Sequence, residues 1–368
     1  MRNGVTMQEK IRLCVLFGGR SAEHEVSIIS ARSLIQSVDL DCYELLLIGI
    51  DRDGRWAKFD SEMELQSISQ VLIKNQETIR LDCVNGGLIQ DSEGTAYPID
   101  VVFPMLHGPY GEDGSVQGLL ELADIPYVGS GVAGSSVGMD KVIMKSIFKA
   151  EDLPQLEYCV VSRNDWQSDK TQVIDLVLSE LDFPIFVKPA NMGSSVGVSR
   201  VIDKSHLTSA IDVAARFDRR IIIEKSAEGF LELEIGILGN ESPEASVVGE
   251  IELIGNVYDY EAKYLDNSTK LHIPARIDDK LSDELRELAV RAFCAVNGSG
   301  LSRVDFFVRS DGNEIYLNEI NTMPGFTPVS MYPLLWGKSG VTYSELIDRL
   351  IGLAIERHKD KRMNQIKL

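Results

Sequence analysis

Apolar positions follow two different rhythms along this chain, and the change between them marks its organisation. In the first third, short apolar runs alternate with stretches of helical spacing. Residues 11–17 form an apolar run ended by Gly18 and Gly19, the length and flanks of a buried strand. Residues 27–38 place Ile28, Ile29, Leu34 and Ile35 at helical spacing. Residues 44–50 and 101–105 read as further strands, 118–123 as part of a helix and 127–128 as a short strand. This βαβ order predicts an open, largely parallel sheet.

After about Lys141 the rhythm changes. Residues 184–189, 196–201, 221–224 and 232–238 read as short strands near turn residues, interrupted by a helix around 205–217. That is an α+β pattern, not a doubly wound one. A helix is predicted over 282–296. Ser282 caps it, Leu285, Leu288, Ala289, Ala292 and Phe293 form its buried face, and Gly298 ends it. A hairpin follows, 301–308 with 314–320, around Asp311-Gly312. The final helix opens at Thr342, which with Glu345 makes a capping box. Neither a repeat nor a low-complexity linker separates these parts, so they are expected to pack around a shared cleft.

Charge narrows the range of partners. With 37 basic against 56 acidic residues the net charge is −19, which repels nucleic acid and anionic lipid. Neither is an expected partner. Cys14, Cys42, Cys83, Cys159 and Cys294 are scattered and odd in number, without a CxxC or a His/Cys cluster. A disulfide framework or structural zinc is therefore not expected. Residues 1–10 are polar and lack the apolar core of a signal peptide. The longest apolar run, 45–50, is far short of a membrane span. The expectation is a reduced, soluble, cytoplasmic protein.

Three constellations carry chemistry. The first runs from Lys188 through Gly193, Ser194, Ser195 and Val196 to Gly197, between two apolar strands. Its glycines and serines offer unhindered N–H groups and hydroxyls, the donors a phosphate needs. By itself a Gly/Ser hairpin is more often only a hairpin. Lys188 sharpens the reading, because an ammonium in so apolar a strand needs a partner and a phosphate would supply one. Lys141, after Met139-Asp140, is a second candidate that without further support is a solvated lysine at a helix start.

The second constellation is Arg303 and Asp305 on one strand, with Glu319 and Asn321 on the next. Each pair is spaced i, i+2 and so lies on one face. A three-residue Asp311-Gly312-Asn313 loop would set Asp305 directly opposite Glu319, whereas a two-residue turn would place them on opposite faces. Two carboxylates at about 4 Å repel by on the order of 4 kcal/mol at an effective dielectric near 20, so something must offset them. Arg303 could help, and an all-oxygen set of Asp, Glu and Asn suits Mg²⁺. The alternative is an exposed charged hairpin. Gly325 soon afterwards allows close backbone approach to a ligand.

The third is the strand–glycine–helix stretch 17–27, in which Glu23 stands at the carboxyl end of a strand, where open α/β sheets bind ligands. His107, followed by Gly108 and Gly111 to Gly114, succeeds another strand and should share that edge. In isolation, Glu23 would be a loop acid and His107 a structural histidine. Neither GxxxxGK(S/T) nor a GxGxxG opening a helix is present, which argues against a P-loop enzyme or a nicotinamide dehydrogenase.

These pieces occur in order across nearly the whole chain, and together they resemble the D-alanine–D-alanine ligase family of the ATP-grasp superfamily. The matching stretches are GGRSAEHEVS (18–27), HGPYGEDG (107–114), GSSVGMDK (134–141), FVKPANMGSSVGVSRV (186–201), YDYEAKYLD (258–266), SRVDFFV (302–308) and YLNEINTMPGFTPVSMYP (316–333). The resemblance implies a mixed α/β and α+β ATP-grasp fold, three domains around a central nucleotide and substrate cleft. These would be an N-terminal open α/β, Rossmann-like domain (1–138), a central lid domain (139–235) and a C-terminal domain carrying the metal and substrate sites (236–368).

It further implies that Lys141, Lys188 and Lys263 contact ATP, with Gly193, Ser195 and Val196 on the loop that closes over the phosphates. Glu224 and Glu232 would hold adenine and ribose, the latter with a one-residue shift within 225–231. Asp305, Glu319 and Asn321 would bind two Mg²⁺ ions, for which Mn²⁺ could substitute. Glu23 would hold the ammonium of the first D-alanine, with Ser194 and Tyr264 in one hydrogen-bonded set. His107, Ser330 and Met331 would face substrate, the last two gripping the second substrate's carboxylate. Arg303 and the Gly325 N–H would stabilise an oxyanion, and 258–270 would be a lid. The implied activity is ATP-dependent formation of D-alanyl-D-alanine through an acyl phosphate, for cell-wall precursors, by a homodimer. Its rivals are ligases making D-Ala-D-lactate or D-Ala-D-serine, and a non-catalytic nucleotide-binding protein of the same fold, which would have lost a lysine or a metal ligand.

Overall fold

A computed structural model describes residues 9–59, 68–71, 73, 78–83, 88–91, 93–253 and 269–365. Ile11–Gly18 forms the centre of a four-stranded sheet, parallel to Tyr43–Ile50 on one side and Val101–Pro104 on the other, with Trp56–Phe59 antiparallel at the edge. Both faces of the central strand are covered, so its apolar run is continuous and not alternating. Tyr127 adds a parallel bridge to Val102, at the expected short strand. The first helix, His24–Ser37, starts three residues earlier than its apolar spacing suggests. A three-stranded antiparallel sheet (Arg80–Asp82, Leu88–Gln90, Ala96–Tyr97) was not anticipated.

The remaining two sheets are wholly antiparallel. One orders Ser199–Val201, Ile185–Pro189, Arg220–Lys225 and Tyr158–Ser162, backed by the helices Lys170–Glu180 and Lys204–Phe217. The other orders Thr269–His272, Glu244–Leu253, Leu231–Gly239, Gly300–Val308 and Ile315–Asn321. Leu231–Gly239 therefore runs across the expected junction at 235/236 and belongs entirely to the five-stranded sheet. The helix Lys141–Ala150 likewise sends Met144 and Phe148 into the core of that sheet, because these residues are its apolar stripe.

On the opposite face of the five-stranded sheet, the final helix Tyr343–Lys361 buries Leu346, Ile347, Leu350 and Ile351 in one core with Leu13, Val15 and Phe17. That shared core docks the first sheet on the last. Thr342 caps this helix as expected, accepting from the Glu345 N–H. The helix predicted from 282 is Asp279–Ala295 instead, and its cap is Asp278, whose carboxylate accepts from the Leu281 N–H at 2.8 Å. Ser282 lies inside the first turn. At the other end Asn297 takes the left-handed conformation (φ 57°) and the Gly298 N–H bonds back to the Phe293 carbonyl at 2.9 Å. A side chain at Gly298 would strike the Phe293 ring.

Candidate active site

The acidic hairpin reaches its expected alignment by an unexpected route. Arg309 pairs with Glu314, so the loop holds four residues, 310–313. Continued regularly, that register would set Asp305 against Asn318. A bulge between Asp305 and Phe306 takes up Asn318 and restores the pairs Asp305↔Glu319 and Arg303↔Asn321. The four side chains thus share one face. Arg303 forks onto Asp305, with Nε to Oδ1 and Nη2 to Oδ2 both at 2.7 Å, and its Nε also lies 2.9 Å from Glu234. Glu234 is directly opposite Asp305 on the neighbouring strand. Asp305 and Glu234 therefore share one planar cation inside the protein, which offsets much of the repulsion between them.

Asn321 donates from Nδ2 to Asp305 at 3.1 Å, leaving its amide oxygen as a third oxygen ligand beside the two carboxylates. Among the described residues no cluster of three His, Cys, Asp or Glu forms a metal site. Two carboxylates plus an amide oxygen nevertheless fit a hard divalent cation that also takes ligands from substrate.

Lys188 has a protein partner, which the sequence did not disclose. Its Nζ lies 2.5 Å from Glu224 Oε2, while Lys145 Nζ reaches Glu224 Oε1 at 3.2 Å. Glu224 is 2% exposed. Burial pushes its carboxyl upward, but the Lys145 and Lys188 ammoniums outweigh that and hold it down to about 2. Burial drives Lys145 down, and the Lys188 charge adds to this. For Lys188 burial is outweighed by Glu224, with Glu319 and Glu232 in support, and the ammonium is held above its usual value. Glu232 thus lies within electrostatic reach of Lys188. Lys141 donates to the Met192 carbonyl at 3.0 Å and stands 3.5 Å from Glu319, joining the lysine group to the acidic hairpin.

The glycine-serine loop meets the start of the helix His24–Ser37 directly. Ser194 donates its hydroxyl proton to Glu23, and a side chain at Gly193 would sit 2.9 Å from the Glu23 carboxylate. Ser194 and Ser195 both adopt positive φ (49° and 58°), a conformation that costs a non-glycine residue about 1–2 kcal/mol. The Val196 N–H closes the turn onto the Gly193 carbonyl at 3.1 Å. Glu23 occupies the N-cap position of its helix without using its side chain as a cap, so the carboxylate is turned to the cleft instead.

His107 is buried beneath Glu23. It contacts Ser30 Oγ (3.1 Å) and the Met323 carbonyl (3.2 Å), with Glu112 at 3.5 Å. Burial alone would lower its pKa, but Glu112, with Glu23 behind it, raises it. His107 is thereby a strut from the loop after Val101–Pro104 to 322–326, next to Gly325, and does not itself line open space. A side chain on Gly325 would lie 3.1 Å from Ser330 Oγ. Ser330 is the N-cap of the helix Met331–Lys338, and its hydroxyl faces Thr327 Oγ1 at 2.7 Å. The Met331 side chain is in the core against Leu335, so only its backbone can serve a ligand.

Glu23, Ser194, Gly193, Lys141, Glu319, Asp305, Arg303 and Asn321 are thus brought together by contacts and strand pairing, with Lys188 within electrostatic reach of Glu319. Tyr264, Lys263 and most of the expected lid at 258–270 lie outside the described residues. Three participants were missed. Lys145 follows Lys141 by one helical turn, Glu234 follows Glu232 by one strand period, and Glu112 sits within the 107–114 match. Spacing was the available signal for Lys145 and Glu234, and the 107–114 match for Glu112.

Two antiparallel sheets that bring a phosphate-type loop and lysines against a carboxylate hairpin define an ATP-grasp enzyme. Residues 12–130 match the family model described as D-ala D-ala ligase N-terminus, and 147–352 match D-ala D-ala ligase C-terminus. The chain is 45% identical to a D-alanine–D-alanine ligase of Acetivibrio thermocellus, covering 96% of this chain and 98% of the relative. It is 47% identical to one of Heliobacterium modesticaldum, covering 96% and 97%. The solved D-alanine–D-alanine ligase of Coxiella burnetii superposes with a TM-score of 0.85 at 34% identity, covering 97% of each chain. The VanG D-Ala:D-Ser ligase of Enterococcus faecalis gives 0.84 at 33%, covering 94% of this chain and all of that one. The chain belongs to the D-alanine–D-alanine ligase family.

Proposed function

We propose that this chain uses ATP to join two molecules of D-alanine into D-alanyl-D-alanine, a cell-wall precursor. The convergence of Glu23, the Ser194 loop, Lys188 and the Asp305–Glu319 pair in one cleft carries the proposal. A carboxylate is a poor acyl donor. A carboxylate oxygen of the first D-alanine therefore attacks the γ-phosphorus, the bond from phosphorus to the β,γ-bridging oxygen breaks, and ADP leaves. Lys141 and Lys188 hold the phosphates while Glu23 holds the D-alanine ammonium. Magnesium ions held by Asp305, Glu319 and Asn321, with Mn²⁺ as a substitute, would neutralise charge on the transferring phosphoryl group.

The neutral amine of the second D-alanine then attacks the acyl carbon. Arg303 and the Gly325 N–H receive the oxyanion, the bond from carbon to the phosphate oxygen breaks, and the amine gives up a proton. Ser330 and the Met331 backbone, at a helix N-terminus, suit the second carboxylate. Adenine and ribose fall to the region of Glu224 and Glu232. Tyr264 and Lys263 complete the substrate and ATP sets. Three domains are proposed, an N-terminal one over 1–138, a central one and a C-terminal one, the last two joined between Lys225 and Leu231, where the sheets change and not at 235/236. The chain is further proposed to act in the cytoplasm as a homodimer. Among the described residues no helix is long and apolar enough to cross a membrane.

Purified protein with ATP and Mg²⁺ is expected to release phosphate only when D-alanine is added, with L-alanine a poor substitute. Offered D-alanine with D-serine or D-lactate, it should make chiefly D-alanyl-D-alanine. Phosphate release unaffected by D-alanine but stimulated by another carboxylate would refute the substrate. A mainly mixed product would favour the D-Ala:D-Ser reading that the VanG neighbour raises.

A further inference from the structure

Lys145 takes no part in the chemistry above, yet among the described residues it is the one lysine in the interior, 1% exposed. Such a position is costly for an ammonium and is tolerated only with a close partner. The helix Lys141–Ala150 turns its neighbours Met144 and Phe148 into the core and so brings Lys145 inward with them. Its Nζ stands 3.2 Å from one oxygen of Glu224 and 5.5 Å from the centre of the Tyr158 ring. The other oxygen of Glu224 takes Lys188 at 2.5 Å. One carboxylate is therefore shared by two ammoniums.

The charge count gives this sharing a consequence. Lys188 with Glu224 alone would be a neutral pair, and a phosphate reaching Lys188 would also meet the carboxylate behind it. With Lys145 on the far oxygen, the three groups together carry one net positive charge. We propose, resting on the ATP-binding reading above, that Lys145 is a positioning residue which neutralises Glu224 so that Lys188 remains a cation for the nucleotide's phosphates.

The test compares ADP with adenosine, which lacks phosphates, by calorimetric binding to the full chain. Lys145→Met should lower the ratio of ADP to adenosine affinity by about tenfold or more, the range of one charge-assisted hydrogen bond. Lys145→Arg should keep the ratio within about threefold of the parent, since the charge is retained. In a Glu224→Gln background the carboxylate is gone, so adding Lys145→Met should change the ratio by less than about twofold. If Lys145→Met alone does not fold, Lys145→Gln, which keeps a polar group on Glu224 but removes the charge, is held to the same expectation. An unchanged ratio in Lys145→Met, with only a lower melting temperature, would make Lys145 a structural residue and overturn the proposal. So would an equal loss in the Glu224→Gln background, which would mean that Lys145 meets phosphate directly. Failure of the unmodified chain to bind ADP would instead overturn the ATP reading itself.

Discussion

Lys188→Met is expected to lower D-alanine-dependent ATP turnover by about 10³-fold at saturating ATP, the scale of removing one electrostatic stabiliser from a transferring phosphoryl group. The fold should survive. Removing Lys188 does not orphan Glu224, because Lys145 remains 3.2 Å from it, and an orphaned buried carboxylate is what makes such deletions severe. The KM for D-alanine should stay within about threefold, since Lys188 serves the phosphate and not the amino acid. Steady-state kinetics with circular dichroism as the folding control decides the point. Near-normal turnover, or a defect confined to the KM for D-alanine, would make Lys188 a structural partner of Glu224 and no more.

Asp305→Asn is expected to cut turnover by about 10²-fold or more and to raise the Mg²⁺ concentration needed for half-maximal rate. The change is nearly isosteric and keeps a hydrogen-bond acceptor, so secondary structure should be unaltered. From sequence alone, removing one of two apposed carboxylates looks stabilising. The structure predicts otherwise, because Arg303 already forks onto Asp305 with two bonds of 2.7 Å and also faces Glu234. Thermal unfolding should therefore show no gain, and a loss of about 1–2 kcal/mol as the charged fork becomes a neutral hydrogen bond. Wild-type activity with an unshifted metal requirement would remove Asp305 from the metal set.

Sequence spacing carried much of this site because strand parity is rigid. Arg303 with Asp305, and Glu319 with Asn321, must share a face whatever surrounds them. It could not reveal how the two strands align. The loop is one residue longer than expected and Asn318 is bulged out, two departures that cancel, and nothing in Asn318 itself marks a bulge. Lys188 was recognisable as a buried cation in need of an anion, but its protein partner Glu224 is 36 residues away across a strand pair. Lys145 was hidden for a related reason. A lysine beside Met144 and Phe148 looks like the polar margin of an amphipathic helix until the facing strand supplies a carboxylate. Local chemistry also misled at the helix from Asp279, where Ser282 and Asp278 are both competent caps and only the chain's path selects Asp278. The parallel first sheet was legible because its apolar runs are continuous. The small sheet at Arg80–Tyr97 is built of two- and three-residue strands, too short for any period to register.

Activation of the first D-alanine as an acyl phosphate leaves a mark that can be followed on an oxygen atom. D-alanine labelled with ¹⁸O in its carboxylate is supplied with unlabelled ATP and Mg²⁺, and the released phosphate is analysed by mass spectrometry. The carboxylate oxygen that attacks phosphorus remains on phosphorus when the amine displaces it. One labelled oxygen per phosphate, released in step with one D-alanyl-D-alanine, is the predicted result. Dipeptide formed alongside unlabelled phosphate would mean that the carboxylate never bonds to phosphorus, and would rule out the acyl phosphate.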